Sequence, residues 1–253
     1  MIELQGLFAS YDGVEILHGI DARFPKGKVS VLCGPNGCGK STTVKALLRL
    51  VPETRGSIRI EGEPLESFTQ NGLARRVSYV PQSRNVPDIT VYNLVMHGRF
   101  PYLTYPRRYR KEDHARVREA LSRMELERLA DRKLESLSGG QRQKTYMAMA
   151  LAQDTDVIVL DEPTNSLDIR SQYELLARVR ALTELGKTVV MILHDFELIL
   201  HCADHVVLLG EGWVRASGSA RQVLESAETR ETFGVTPCFY ETPDGTHCYV
   251  KPN

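Results

Sequence analysis

Val29, Val31 and Leu32 stand in a short apolar run that leads directly into Gly34-Pro35-Asn36-Gly37-Cys38-Gly39-Lys40-Ser41-Thr42, a complete G-x-x-x-x-G-K-[ST] sequence. Residues 40–50 then read as a helix with Val44, Leu47 and Leu48 on one face. Strand, glycine loop and helix in that order dictate an α/β fold, with the loop cradling phosphates at the helix N-terminus. Gly34, Gly37 and Gly39 let the backbone approach phosphate oxygens and aim its N–H groups at them. Lys40 supplies charge between the β- and γ-phosphates, and Ser41 is placed to ligate Mg²⁺. The loop as a whole, with Pro35, Asn36, Cys38 and Thr42, is the expected nucleotide cradle.

Two further segments carry chemistry. The apolar strand 157–160 ends in Asp161-Glu162. Asp161 at the strand's carboxyl end can hold magnesium through its water shell, and Glu162 can accept a proton from an attacking water. The plain alternative, an acid pair capping the next helix, weakens beside a phosphate loop. Leu137-Ser138-Gly139-Gly140-Gln141 opens a helix over 141–153, and its free N–H groups with the serine hydroxyl suit an anion. Taken alone, a simple helix cap is the commoner reading of that turn.

Strand-like runs at 2–33, 56–62, 76–81, 157–160, 188–193 and 205–209 surround a block of helical texture between about 90 and 153. The alternation predicts a mostly parallel sheet with crossover helices, preceded by an antiparallel β part. The expected organisation is a single domain over 1–253. Residues 1–85 and 155–253 form its α/β core, 86–154 a helical insertion, and 235–253 a strand pair turning at Pro243-Asp244-Gly245. Lysine plus arginine equals aspartate plus glutamate at 32 each, so no global field recruits nucleic acid. No apolar run approaches a membrane span, no secretory signal is visible, and the five cysteines lack metal-ligand spacing. A soluble chain with reduced thiols follows as the expectation.

The order and spacing of Leu137-Ser138-Gly139-Gly140-Gln141 and Asp161-Glu162 resemble the ATPase subunits of ABC transporters, and the resemblance spans essentially the whole chain. It implies a P-loop NTPase core with an inserted helical subdomain, ATP and Mg²⁺ as ligands, and hydrolysis at a site shared by two subunits. By the same resemblance Tyr11 stacks on adenine, and Gln82 contacts magnesium and the membrane partner. Ser166-Leu167-Asp168 crosses between subunits, and His194 contacts the γ-phosphate. The residues implied for metal are Ser41, Gln82 and Asp161; those for catalysis are Glu162, His194 and Lys40. Without the family, Tyr11 could be an ordinary strand tyrosine and His194 a structural histidine.

Val95-Met96-His97-Gly98-Arg99-Phe100-Pro101-Tyr102 is similar to a stretch in importer ATPases for iron-siderophore, haem and cobalamin uptake. The resemblance implies a second copy of the chain and integral permease subunits as partners, indirectly a substrate-binding protein, and residence at the cytoplasmic membrane face. ATPases of molybdate or metal importers and of exporters share several of these features. A soluble ABC ATPase acting on nucleic acid or ribosomes fits less well, because only a compact block separates Gln82 from Leu137. Residues 84–105 are expected to help form a groove for a membrane subunit; there Val86, Ile89, Val91 and Leu94 either line that groove or pack the helical block. The basic run Arg107-Arg108-Tyr109-Arg110-Lys111 reads as a solvated face or as a neighbour of lipid headgroups, the first being commoner.

Overall fold

The computed structural model describes residues 1–82, 86–165, 167–243 and 245–252. The chain divides into two compact units, Met1–Ser67 with Leu176–Asn253, and Phe68–Leu175.

The first unit opens with β1 (Ile2–Tyr11) and β2 (Val14–Phe24), an antiparallel hairpin turning at Asp12 and Gly13. Then come β3 (Val29–Cys33), α1 (Lys40–Leu47), β4 (Glu53–Ile60) and the short β5 (Glu63–Pro64). β1 also pairs antiparallel with β4, and β4 with β5. The expected antiparallel β part is therefore an N-terminal sheet in the order β2-β1-β4-β5. Along β1, Ile2, Leu4, Leu7 and Ala9 are buried, so one side of the strand faces the core.

The second unit holds α2 (Gln70–Ala74), β6 (Val77–Val80), α3 (Val91–His97), α4 (Lys111–Arg123), α5 (Gly139–Ala152) and β7 (Val157–Asp161). β6 and β7 pair in parallel, with Val80 opposite Leu160. α4 buries Val117, Ala120 and Leu121, three residues at helical spacing, and one charged residue, Asp113, while its other charged residues are exposed. Burying Val117 and Leu121 contributes about 1.5–3 kcal/mol each. Val91 and Leu94 are buried within this unit, whereas Val86 is 43% exposed. The helix α6 (Ile169–Glu184) begins in the second unit and ends in the first.

The chain then adds β8 (Thr188–Ile192), α7 (Phe196–Cys202), β9 (His205–Gly210), β10 (Trp213–Gly218), α8 (Ala220–Glu225), α9 (Ala227–Phe233) and the hairpin β11 (Val235–Thr242) with β12 (Gly245–Pro252). Asp244, Arg84 and Ser166 lie outside the described residues. β3 runs parallel between β8 and β9, and β10 joins β9 antiparallel. β3 and β8 are buried at every position, as a parallel strand covered on both faces requires. No helix among the described residues is long and apolar enough to cross a membrane. All five cysteines are free thiols.

Candidate functional site

The phosphate loop leaves β3 at its carboxyl end. Gly34 has φ +147°, and a Cβ there would lie 2.2 Å from the Leu209 carbonyl oxygen, so only glycine passes β9 at this point. α1 begins after Gly39, which has no side chain to cap it, and its first turn contains no acid. The opening amides of α1 thus keep their positive end available to an anion. Lys40 is buried and donates through Nζ to the carbonyl oxygens of Gly34 (2.9 Å) and Pro35 (2.7 Å). Its third contact is the long one to Cys38 Sγ at 3.9 Å, a weak acceptor that a phosphate oxygen would displace. Ser41 and Thr42 follow in the first turn, both half-buried. Burial raises the Cys38 thiol above its ordinary pKa, which keeps it neutral and unreactive inside the loop.

A residue that sequence reasoning passed over braces this loop. The Gly212 N–H donates to the Cys38 carbonyl at 3.1 Å, and the His18 N–H donates to the Gly212 carbonyl at 3.0 Å. Gly212 has φ +79°, and a Cβ would meet the Ile16 carbonyl oxygen at 2.3 Å. The turn between β9 and β10 therefore ties the phosphate loop to β2. The Glu211-Gly212 turn signal was its only trace in the sequence. A cavity of about 570 Å³ lies beside the loop, lined by Pro35 to Cys38 and by Glu211, Arg215, Glu228 and Glu231. Its three carboxylates oppose a polyphosphate, so the anion face is the amide face of α1.

His194 and the phosphate loop leave the same sheet edge. Leu32 of β3 is in register with Ile192 of β8, so Gly34 and His194 lie two residues beyond paired positions on adjacent parallel strands. Asp195 caps α7 by accepting from the Leu198 N–H at 3.1 Å. Glu197 is also tied down: its carboxylate contacts His247 Nδ1 at 2.6 Å and accepts from the Cys248 N–H at 2.7 Å. Strand β12 thereby holds the helix that follows His194, a link no local pattern announces. Tyr11 ends β1, half-buried, opposite Val14.

The second unit assembles the remaining candidates. Asp161 ends the buried strand β7 and accepts from the Tyr79 hydroxyl at 3.2 Å. Glu162 has φ +49°, a left-handed backbone unusual for a side chain of this size. The Gln82 and Asn165 side-chain amides both donate to Glu162 Oε2. The pairing of Val80 with Leu160 explains the first of these, since Gln82 and Glu162 each lie two residues further on. Asn165 is another residue the sequence reading missed.

At the start of α5, Ser138 Oγ accepts from the Gln141 N–H (3.3 Å), and Gln141 Oε1 accepts from the Ser138 N–H (3.1 Å). The serine hydroxyl oxygen thus caps the helix while its O–H is not used by this box, nor are the amides of Gly139 and Gly140. Asp168 accepts from the Ser171 backbone N–H (2.8 Å) and hydroxyl (3.0 Å), and the backbone bond lowers its carboxyl pKa. A Cβ on Gly140 would lie 3.7 Å from Ser171 Oγ and 3.9 Å from Leu167, which makes the Ser138 turn and the Asp168 segment neighbours.

The candidates thus fall into two sets. Tyr11, residues 34–42 and His194 belong to the first unit; Gln82, residues 138–141, Asp161, Glu162 and Asp168 belong to the second.

The ABC transporter family model matches residues 17–165. The achromobactin transport ATP-binding protein CbrD of Dickeya dadantii is 39% identical over 94% of this chain and 91% of its own length. The petrobactin import ATP-binding protein FpuD of Bacillus anthracis is 37% identical over 92% of this chain and 86% of its own. Among solved structures, a transporter assigned to the metal-chelate type of ABC transporter, in an inward-facing conformation, superposes with a TM-score of 0.85 at 25% identity. That match covers 100% of this chain and 97% of the other.

Proposed function

The chain belongs to the ABC transporter ATP-binding family, and from that premise we propose that it powers uptake of a chelated metal, with ferric siderophores as the leading cargo class and haem or cobalamin next. It is an ATP-hydrolysing subunit with a P-loop NTPase fold. The relatives named for achromobactin and petrobactin transport support the cargo class.

The observation that carries the chemistry is Glu162, held through one carboxylate oxygen by Gln82 and Asn165 at the carboxyl end of β7. In the proposed mechanism Tyr11 stacks on adenine, while the amides of residues 34–42 and Lys40 hold the phosphates. Ser41, Gln82 and Asp161 offer only oxygen donors, a hard set that fits Mg²⁺. When bound, the ion supplies positive charge against the phosphate oxygens. Glu162 orients the attacking water and takes its proton, and His194 donates an N–H to the γ-phosphate. Phosphoryl transfer needs mostly positioning and charge, so a missing half-site is enough to stop it.

That half-site is the Ser138 turn of a second copy, with Asp168 beside it in the same unit. ATP closes the two copies and hydrolysis releases them, so the difference in ATP affinity between the two states performs the work. The whole chain acts as one ATPase domain, with 86–154 as the helical subdomain that meets the permease subunits. The assembly sits at the cytoplasmic membrane face, fed by a substrate-binding protein.

Deleting the gene tests the cargo. Growth on a ferric siderophore as sole iron source should fail and should return with the wild-type chain but not with Lys40→Ala. Undiminished growth on siderophore, haem and cobalamin sources would overturn the cargo class and leave the ATPase assignment standing.

A further inference from the structure

Between α3 and α4 the chain makes an excursion that the ATPase chemistry leaves unused. Its base is bolted to one end of α5. Gly98 packs so closely there that a Cβ would lie 2.3 Å from the Met149 carbonyl oxygen. Arg99 is buried; its guanidinium donates to Asp113 (2.9 Å) and to the Ala152 carbonyl (2.8 Å), and lies 3.9 Å from the Tyr102 ring centroid. The Tyr102 hydroxyl donates to the Gln153 carbonyl at 2.9 Å. All of these anchors on α5 are at its carboxyl end. The Ser138 turn is at the other end of a 14-residue helix, about 20 Å away at 1.5 Å per residue. The excursion therefore leaves α5 at the end opposite the Ser138 turn.

Beyond Tyr102 the loop turns outward with a composition unlike an ordinary solvated face. Tyr105 is 97% exposed and Phe100 51% exposed, and the Arg107 guanidinium sits 5.3 Å from the Phe100 ring centroid. Arg107, Arg108, Arg110 and Lys111 are all exposed, against one exposed carboxylate, Glu112, in residues 100–112. Arg107, Arg108 and Lys111 have no ion-pair partner among the described residues. Solvation alone accounts for the cations but not for two large aromatic rings standing out among them. An aromatic ring with an apolar body suits the boundary between headgroups and acyl chains, and unpaired cations suit anionic phosphates.

We propose that this loop is a membrane-surface contact. Tyr105 and Phe100 enter the headgroup layer while Arg107, Arg108 and Lys111 pair with the phosphates of anionic phospholipids. The contact rests on the chain being a peripheral subunit of a membrane transporter. It adds a direct hold on the bilayer, separate from any grip on the permease.

Vesicle binding by the purified full chain tests the contact. Wild-type protein should partition onto vesicles containing about 30% phosphatidylglycerol and be released by high salt, with little binding to pure phosphatidylcholine. The triple variant Arg107→Gln/Arg108→Gln/Lys111→Gln should bind the anionic vesicles at least about tenfold more weakly, and Tyr105→Ser several-fold more weakly. Both variants should keep the basal ATPase rate and thermal midpoint of the wild type. Loss of ATPase in the wild type would undermine the enzymatic reading without touching the lipid result. Equal wild-type binding to neutral and anionic vesicles, or undiminished binding by the triple variant, would overturn the contact. So would a triple variant that still binds vesicles but fails to couple to the permease, an outcome that assigns the loop to protein docking.

Discussion

The Lys40 ammonium lies 2.7 Å from the Pro35 carbonyl oxygen, so the loop's cation is positioned by the backbone of the loop it serves. A phosphate arriving at the loop meets a lysine already aimed and largely desolvated. Lys40→Met removes a charge-assisted hydrogen bond of about 1.5–3 kcal/mol, equivalent to about 10–150-fold weaker ATP binding. Calorimetric titration of the purified chain checks this, and wild-type affinity in the variant would remove Lys40 from the cradle.

Glu162→Gln keeps the shape of the side chain and removes the base. ATP binding should survive and a closed dimer should accumulate, while turnover falls by at least about 100-fold. Asn165→Ala leaves the carboxylate in place but removes the Asn165 amide from it, so a smaller loss is expected, confined to kcat. Single-turnover kinetics with gel filtration in ATP distinguishes the two. Near-normal turnover in Glu162→Gln would show that the proton goes elsewhere.

Ser138→Arg puts bulk and charge at the exposed start of α5, where the Gly139 and Gly140 amides open outward. Hydrolysis and ATP-driven dimerisation should be abolished, with nucleotide affinity of the single chain unchanged. Unaltered activity would contradict a site shared between copies.

Gly212→Ala places a methyl group against the Ile16 carbonyl, and at φ +79° the backbone itself resists a side chain. The expected cost exceeds about 1 kcal/mol of stability. ATP affinity should fall as well, because the Gly212 N–H holds the Cys38 carbonyl. Trp213 is the single tryptophan of the chain and adjoins this brace, so its fluorescence reports both unfolding and loop displacement.

The buried Arg99–Asp113 pair predicts a pH response. Burial pushes the Asp113 carboxyl up, but the Arg110 backbone N–H and the Arg99 guanidinium outweigh it and bring the carboxyl below its ordinary value. A depressed folded-state pKa means the pair stabilises the protein above the ordinary carboxylate range and loses that contribution as acid protonates Asp113. Asp113→Asn should cost about 3–5 kcal/mol at neutral pH. The gap in thermal midpoint from wild type should begin to narrow below about pH 4 and keep narrowing as the pH falls further. A gap independent of pH would show that the pair contributes by shape alone.

How much of this was readable in advance depended on the reach of each interaction. The phosphate loop, Asp161-Glu162 and the start of α5 are contiguous in sequence, and each carries its chemistry within a few residues. The Ser138 hydroxyl accepts from the Gln141 N–H as a helix cap, which leaves its own O–H free to turn toward an anion. Val91 and Leu94, open to either reading, are buried in the helical unit, while Val86 is at the surface. The Gly212 brace spans from residue 38 to 212, and the Glu197 clasp reaches His247 and Cys248. Such pairs leave no periodic trace, because one polar residue meeting a distant backbone group looks like any exposed residue until the chain is folded.

α5 has a mechanical consequence. It is capped by the Ser138–Gln141 box at one end and clasped by Arg99 and Tyr102 at the other, with no glycine or proline from Gln141 to Ala152. Such a rod has no soft joint. A tilt of about 10° at the capped end swings the far end through about 4 Å, given 1.5 Å of rise per residue. A tilt imposed at the capped end would therefore be read out, enlarged by the length of the rod, at the base of the aromatic and basic loop.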